Sequence, residues 1–88
     1  MPGTRKQIRF HRPVVIQPGR IDRDRVVTTV AGAANVLLHE WPNTEGANYT
    51  KAIKACIDVI RSEKPPRVAR KAFIDAAKEA RIFLGETP

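Results

Sequence analysis

The sequence contains few of the side chains on which most enzymes and metal proteins depend. Among 88 residues it has one cysteine, one tryptophan, one tyrosine and two histidines. The single cysteine, Cys56, excludes an internal disulfide and agrees with a reducing compartment. The histidines and the cysteine are too widely spaced for a zinc site, and no glycine-rich phosphate loop is present. We therefore expect no enzyme, no cofactor, no metal ion and no small-molecule ligand.

Long apolar runs are also missing. No run approaches the ~18 residues that a membrane span needs, and no apolar signal-peptide core follows the basic N-terminus. The apolar fraction of 42% is periodic along the chain, which argues against disorder although 28% of the residues are charged. We expect a soluble cytoplasmic protein with one small domain, because 88 residues can bury a single core.

Negative charge is scarce at both ends of the chain. Residues 1–25 hold seven basic and two acidic side chains, net +5, and residues 51–88 hold nine and five, net +4. The middle, residues 26–50, holds no basic and two acidic side chains, net −2. The total of +7 favours association with polyanions but carries no information about the fold.

Two short β-branched runs predict strands near the N-terminus. The first, 14–16, is bounded by Pro13 and Pro18, which cannot donate to a sheet and are typical of strand ends or edges. The second run is 25–29. A short polar loop joins them, so the simplest arrangement is an antiparallel hairpin. Residues 1–9 carry several cations before this hairpin and are expected to form a flexible basic arm.

Three amphipathic helices are predicted after the hairpin. The first runs from Val30 to Trp41-Pro42, with Thr28 or Thr29 as its N-cap. The second carries apolar residues from 49 to 60 and stops before Pro65-Pro66, with Thr44 as another cap candidate. The third runs from about Pro66 to Leu84, before Gly85.

The predicted fold is thus an α+β domain over residues 10–85 with the order β-β-α-α-α. Its apolar helix faces meet the hairpin, and Trp41 continues the stripe of Leu37 and Leu38 at a helix end. We expect Trp41 to be part of the core rather than a surface contact. The full set of predicted core residues is Phe10, Leu37, Leu38, Trp41, Ile53, Cys56, Ile57, Phe73 and Phe83.

An ordered set of residues over most of the chain resembles a family of small bacterial proteins known as domain of unknown function 982. These residues are Phe10, Pro13-Val14, Ala33-Ala34, Leu37-Leu38, Trp41-Pro42, Ala52, Cys56, Ala69-Arg70, Ala72-Phe73, Ala76-Ala77 and Glu79-Ala80. Gly32 departs from the acidic residue expected at that position, which affects the helix cap more than the fold. The resemblance implies a compact α+β domain and assigns no activity.

Two kinds of function remain open. Protein binding, including a homodimer, is favoured because a two-stranded hairpin leaves unpaired edges. The interface would be a strand edge or a helix face, and the candidate residues are Val15, Val27 and Ile74. The alternative is weak binding of nucleic acid through the basic arm and the third helix. The candidate residues for a polyanion are Arg5, Lys6, Arg9, Arg12, Arg67, Arg70, Lys71, Lys78 and Arg81.

Each hypothesis has a plainer alternative. The basic face of the third helix can be an ordinary solvated surface, with Asp75 placed to pair with Lys71 and Lys78. The hairpin edge can be protected by its prolines and arginines, which would leave a monomer. The sequence alone does not decide between these alternatives.

Overall fold

A three-stranded antiparallel sheet and three helices build the protein, and this computed structural model describes residues 8–19 and 24–86. The elements in chain order are β1 (Arg9–Ile16), β2 (Arg25–Thr29), α1 (Val30–His39), α2 (Ala47–Ile60), α3 (Pro66–Glu79) and β3 (Phe83–Glu86). The helices pack on the sheet face that carries Phe10, Val14 and Ile16. The predicted small α+β domain is confirmed.

The predicted arm and hairpin are described in part. Residues 1–7 of the arm, with Arg5 and Lys6, and residues 20–23 of the hairpin loop lie outside the described residues. Strand β1 begins at Arg9, which lies opposite Thr29 of β2, and the carbonyl of Ile8 accepts from the N–H of Val30 (2.9 Å). The ordered sheet therefore starts within the last two residues of the segment assigned to the arm.

The sheet order β2-β1-β3 places the first strand in the centre. A third strand was not predicted, because residues 82–84 were assigned to the end of the third helix. Helix α3 instead ends at Glu79, and Arg81 adopts a left-handed conformation with φ of 62°. This reversal aims the chain back along β1, where Phe83 pairs with Ile16. A short apolar run fits either a helix end or a strand, so its pattern alone could not separate the two.

Pro13 lies inside β1 and not at its end, which corrects the sequence-based assignment. Proline has no N–H to give to a neighbouring strand. The register between β1 and β2 shifts between Arg9 and Val14. Pro13 lies inside this interruption, and regular pairing resumes at Val14. A central strand can therefore contain this proline because the irregularity removes the demand for its hydrogen bond.

The helix starts are capped in two different ways. The hydroxyl of Thr29 accepts from the N–H of Gly32 (2.9 Å), a local cap of α1 that the sequence predicted. Helix α2 has no such local cap, and Thr44 does not serve as one. The carboxylate of Glu79, at the end of α3, accepts from the N–H of Asn48 instead (3.2 Å). A Cβ on Gly46 would lie 2.0 Å from Glu79 Oε1, so glycine leaves room for this distant cap.

The core is centred on a cluster of aromatic rings. Trp41 is 7% exposed, and its ring lies 5.5 Å from that of Phe73 and 6.3 Å from that of Tyr49. Phe10 of β1 lies 6.3 Å from Phe73. Trp41 therefore links the end of α1 to α2 and α3, and Phe73 extends the ring cluster to the sheet, so the tryptophan is part of the core as expected.

The other predicted core positions divide into three groups. Leu37, Cys56 and Phe73 are buried with Phe10 and Trp41, whereas Ile53 and Phe83 are half-buried against the same cluster. The placement of Leu38 and Ile57 in the core is wrong, because both side chains are exposed. Apolar periodicity identifies an apolar stripe, but the stripes of α1 and α2 are wider than the surface that their neighbours cover.

Within the described ranges, no helix is both long enough and apolar enough to cross a membrane.

Candidate interaction surfaces

The outward side of α1 and α2 carries the largest group of exposed apolar side chains in the described part of the chain. Leu38 on α1 is 60% exposed, and Ile57 and Ile60 on α2 are 43% and 46% exposed. The two other large exposed apolar side chains, Val26 and Leu84, belong to the sheet. Solvent therefore covers three large aliphatic side chains on neighbouring helices.

Helical geometry puts the isoleucines of α2 on one side of that helix. Tyr49, at the start of α2, donates its hydroxyl hydrogen to the carbonyl of Leu37 at the end of α1 (2.9 Å), which marks the side of α2 that faces α1. Ile53, Ile57 and Ile60 follow Tyr49 at spacings of four, four and three residues, so they form a row on that same side. We call this row of isoleucines, together with the exposed Leu38 on the adjacent helix α1, the apolar helix face.

The interface residues predicted from the sequence lie elsewhere. Val27 faces Val14 across the sheet and is buried, so it is not available to a partner, which corrects that assignment. Val15 is half-buried and faces the exposed Val26 on the opposite side of the sheet. Ile74 is half-buried against the core. In the part of the chain that the structure describes, β2 and β3 are the edge strands of the sheet, because β1 is paired on both sides.

The predicted polyanion-binding residues do not form one continuous set. Arg67, Lys71 and Lys78 line the exposed side of α3 at spacings of four and seven residues. Lys71 pairs with Asp75 (3.1 Å), as the plainer alternative expected. Lys78 does not pair with Asp75 and lies 5.3 Å from the ring centre of Phe83.

Arg9, Arg67 and Arg81 are exposed and have no ion pair within residues 8–19 and 24–86. Of these, Arg9 and Arg67 come together, whereas Arg81 lies beyond the other end of α3. Fewer of the predicted polyanion-binding residues therefore lie together without an ion pair than the sequence indicated.

A groove between the start of β1 and the start of α3 collects that group. Its volume is about 280 Å³, and its lining residues are Arg9, Phe10, His11, Pro65, Pro66, Arg67 and Arg70. No acidic side chain lies in the first turn of α3, and none lines the groove. We call it the cationic groove.

Arg70 is the fixed member of the cationic groove. It is only 9% exposed, unlike the solvated cation that the sequence predicted. Its Nε donates to the carbonyl of Arg12 (3.0 Å), and its Nη2 donates to the carboxylate of Glu86. These two bonds join α3 to the strands β1 and β3, so Arg70 has a structural role whatever else it binds.

Glu86 is held in a cationic environment. The hydrogen bond from Arg70 lowers the pKa of the Glu86 carboxyl below its ordinary value of 4.5 and is the largest effect. Desolvation is the next largest and opposes it, and the charges of Arg70, Arg12 and His11 lower the pKa further. Arg12 Nη1 lies 4.0 Å from the same carboxylate. One carboxylate therefore faces two arginines and a histidine at this end of the sheet.

The family model described as "Protein of unknown function (DUF982)" matches residues 12–84, which is most of the chain. The protein belongs to the DUF982 family. A solved structure of Agrobacterium tumefaciens protein Atu1219 has the same fold, with a TM-score of 0.74 and 23% sequence identity. The similarity covers 92% of this chain and 80% of the Agrobacterium protein. No curated protein is similar enough to count as a match.

The DUF982 domain has no cluster suited to a metal ion in the part that the structure describes, where no three His, Cys, Asp or Glu side chains come together. Its cysteine, Cys56, is buried, and desolvation raises the pKa of the thiol to about 11. A protonated thiol without a neighbouring base is a poor nucleophile. Cys56 thus fills space in the DUF982 core.

Sequence reasoning missed three residues of these surfaces. Ile60 was part of an apolar stripe, and only its position at the edge of that stripe could have indicated exposure. His11 lies between Arg9 and Arg12 along β1, so its proximity to the cations was readable. Glu86 carried no local indication, because its partners come from residues far away in the DUF982 chain.

Proposed function

We propose that this DUF982 domain is a non-enzymatic binding module that recognises protein through the apolar helix face, and that one of its partners is a second copy of itself. The observation that carries this proposal is the exposure of Leu38, Ile57 and Ile60 on adjacent helices. Exposed apolar groups that lie together are typical of interaction surfaces, whereas isolated ones are ordinary.

The energetic argument follows from burial. Each side chain of this size is stabilised by about 1.5–3 kcal/mol when it is moved fully out of water. Leu38, Ile57 and Ile60 are 43–60% exposed, so the fold leaves about half of this free energy unused at each of them. A contact between two copies related by a twofold axis would use the same surface twice, which is the commonest geometry of homodimers.

The sheet offers a second route to the same kind of assembly. Among residues 8–19 and 24–86, no further strand pairs with the outer edges of β2 and β3, and Val26 and Leu84 are exposed on these two strands. An added strand from a partner would pair with one of those edges. The helix face is favoured because it presents more apolar surface, and the two routes predict different sensitive residues.

Light scattering over a range of micromolar concentrations tests self-association. We expect a mass near twice the 9.8 kDa of one chain. Leu38→Ser and Ile57→Ser should weaken the dimer, since each places a polar group in the contact. Val26→Ser is the matched control, because Val26 is about equally exposed but lies on the sheet.

A mass of one chain at every concentration would reject self-association. Sensitivity to Val26→Ser alone would instead assign the dimer to the sheet edge. Capture from nuclease-treated native extract, with the parent and the Leu38→Ser variant as baits, then tests for a different protein partner. A partner that the variant no longer retains would support the apolar helix face.

A second candidate function, binding of nucleic acid, is supported by the cationic groove and the exposed line of Arg67, Lys71 and Lys78. Neutralised phosphates release counterions, so binding should be strongest at low salt and weaken steadily as salt is added. The test is a salt titration with single-stranded and duplex oligonucleotides. Absence of binding at ~50 mM salt would remove this candidate.

A further inference from the structure

We propose that the cationic groove is a binding site for a single phosphate group, with Arg70 as its fixed donor and Arg9 and Arg67 as the mobile ones. The site lies between β1 and α3, and none of its lining residues belongs to the apolar helix face. It does not depend on the protein binding proposed above. It sharpens the second candidate function by naming where one phosphate would be held.

The first argument is that Arg70 is already positioned. Two of its three nitrogens are engaged, Nε with the carbonyl of Arg12 and Nη2 with Glu86. The third, Nη1, has no partner within the described residues, and no side-chain nitrogen there is both buried and unpaired. Nη1 is therefore not completely buried, and Arg70 lines the groove. A guanidinium that is held in place loses little entropy when it binds an anion.

The second argument is the uncompensated charge of the groove walls. Arg9 and Arg67 are exposed, lie on opposite walls and have no ion pair in the described chain. His11 is on the same wall as Arg9. No acidic residue lines the groove, so nothing within it neutralises these cations. Arginine suits phosphate because its planar donors match two oxygens of the group at once.

The third argument is size. The groove holds about 280 Å³, which is at or below the lower limit of pockets that enclose drug-sized molecules. Its polar donors are at the walls, and the apolar surface of Phe10 and two prolines forms the remainder. This shape is suited to one small anionic group and not to a large apolar ligand.

The phosphate could belong to a small phosphorylated molecule or to a nucleic-acid backbone. Two-dimensional NMR titrations distinguish these sources, with inorganic phosphate as one probe and a short oligothymidylate as the other. Sodium chloride keeps the ionic strength constant throughout. We expect saturable shifts at the amides of residues 9–12 and 67–70 and at the Nε–H of Arg70.

Two variants are expected to change the phosphate affinity in opposite directions, and each has a matched control. Arg67→Ala should weaken phosphate binding by about fivefold to tenfold, the loss of one charge-assisted contact at an exposed site. Arg81→Ala, which removes an exposed arginine beyond the other end of α3, should leave it within about twofold. Glu86→Gln should tighten binding, because it removes a negative charge beside Arg70 while the amide oxygen of glutamine can still accept from Nη2 and keep Arg70 in place. Glu45→Gln, a distant exposed carboxylate, is its control.

Saturable phosphate binding with these variant effects supports the site. If phosphate binds and the oligonucleotide does not, the site stands and the nucleic-acid function is wrong. If both bind with the same shifts, the backbone phosphate is the natural source. The proposal is overturned if ~10 mM phosphate produces no saturable shift, or if Arg67→Ala and Arg81→Ala weaken binding equally. The dispersion of each spectrum verifies that the variant is folded.

Discussion

The two sides of the α1–α2 pair carry the same kind of side chain and differ only in what covers them. On the inner side Leu37 and Cys56 are fully buried against the core. On the outer side their direct neighbours in sequence, Leu38 and Ile57, are exposed to solvent. Composition therefore does not decide what these residues do. The inner side stabilises the fold, and the outer side is available to a partner.

The largest expected effect is the loss of the inner aromatic cluster. Trp41→Ala removes the ring that contacts Phe73 and Tyr49, and the helices can only partly close around the cavity. We expect unfolding to become easier by about 3–5 kcal/mol. Urea denaturation measures this value. A midpoint unchanged from the parent would show that the inner side is not the source of stability.

The adjacent leucines provide the most direct test of the comparison. Leu37→Ala should cost about 2–5 kcal/mol, because Leu37 is 0% exposed. Leu38→Ala should change the stability of the monomer by about 0.5 kcal/mol or less, because Leu38 is 60% exposed. Measurement at a concentration where the protein is monomeric keeps any dimer contribution out. Similar losses for both variants would contradict the division into two sides.

The labelling rate of a thiol can distinguish the buried side of α2 from its exposed side. Cys56 is buried and the pKa of its thiol is raised to about 11, so a thiol reagent should modify it only after the chain opens. In a Cys56→Ala background, Ile57→Cys places a thiol one residue away on the outer side. Its labelling should be about a hundredfold faster or more. Equal labelling rates would mean that α2 is not fixed in this orientation.

The smallest expected effect on stability comes from the ion pairs of α3. Arg70 and its neighbour Lys71 again differ in burial. Arg70 is buried beside Glu86, whereas Lys71 and Asp75 form an exposed pair. The pKa of Glu86 is lowered in the folded state, so its contribution to stability is present above pH 4.5 and is lost as the pH falls through the folded pKa.

Glu86→Gln should therefore flatten the decrease in unfolding free energy on acidification below about pH 4.5. Asp75→Asn, the control in the exposed pair, should leave the acid dependence closer to that of the parent. Urea titrations at several pH values measure both. A larger change in the acid dependence for Asp75→Asn than for Glu86→Gln would contradict the greater importance of the buried pair.

The sequence was sufficient for much of the architecture. Apolar spacing and prolines placed all three helices, and Thr29 was identified as a cap because its hydroxyl acts locally. It was insufficient where a residue's role depends on distant neighbours. The cap of α2 comes from Glu79, and the pairing of β3 comes from β1, so neither is visible in a local pattern.

The candidate sites were harder to predict from the sequence than the fold. Leu38 and Ile57 look like core residues because they extend real apolar stripes, and the stripe alone does not give the width of the covering surface. Arg70 looks like its neighbour Lys71, yet it turns inward to the carbonyl of Arg12. Only the packing of α3 against β1 separates a solvated cation from a fixed one.

The central position of β1 also has a consequence for the order of folding. The strand that occupies the middle of the sheet is made first, and one of its two partners, β3, lies about 70 residues later. Closing so long a loop is slow compared with forming the hairpin of β1 and β2. During synthesis, one backbone edge of β1 thus stays open until the last strand leaves the ribosome.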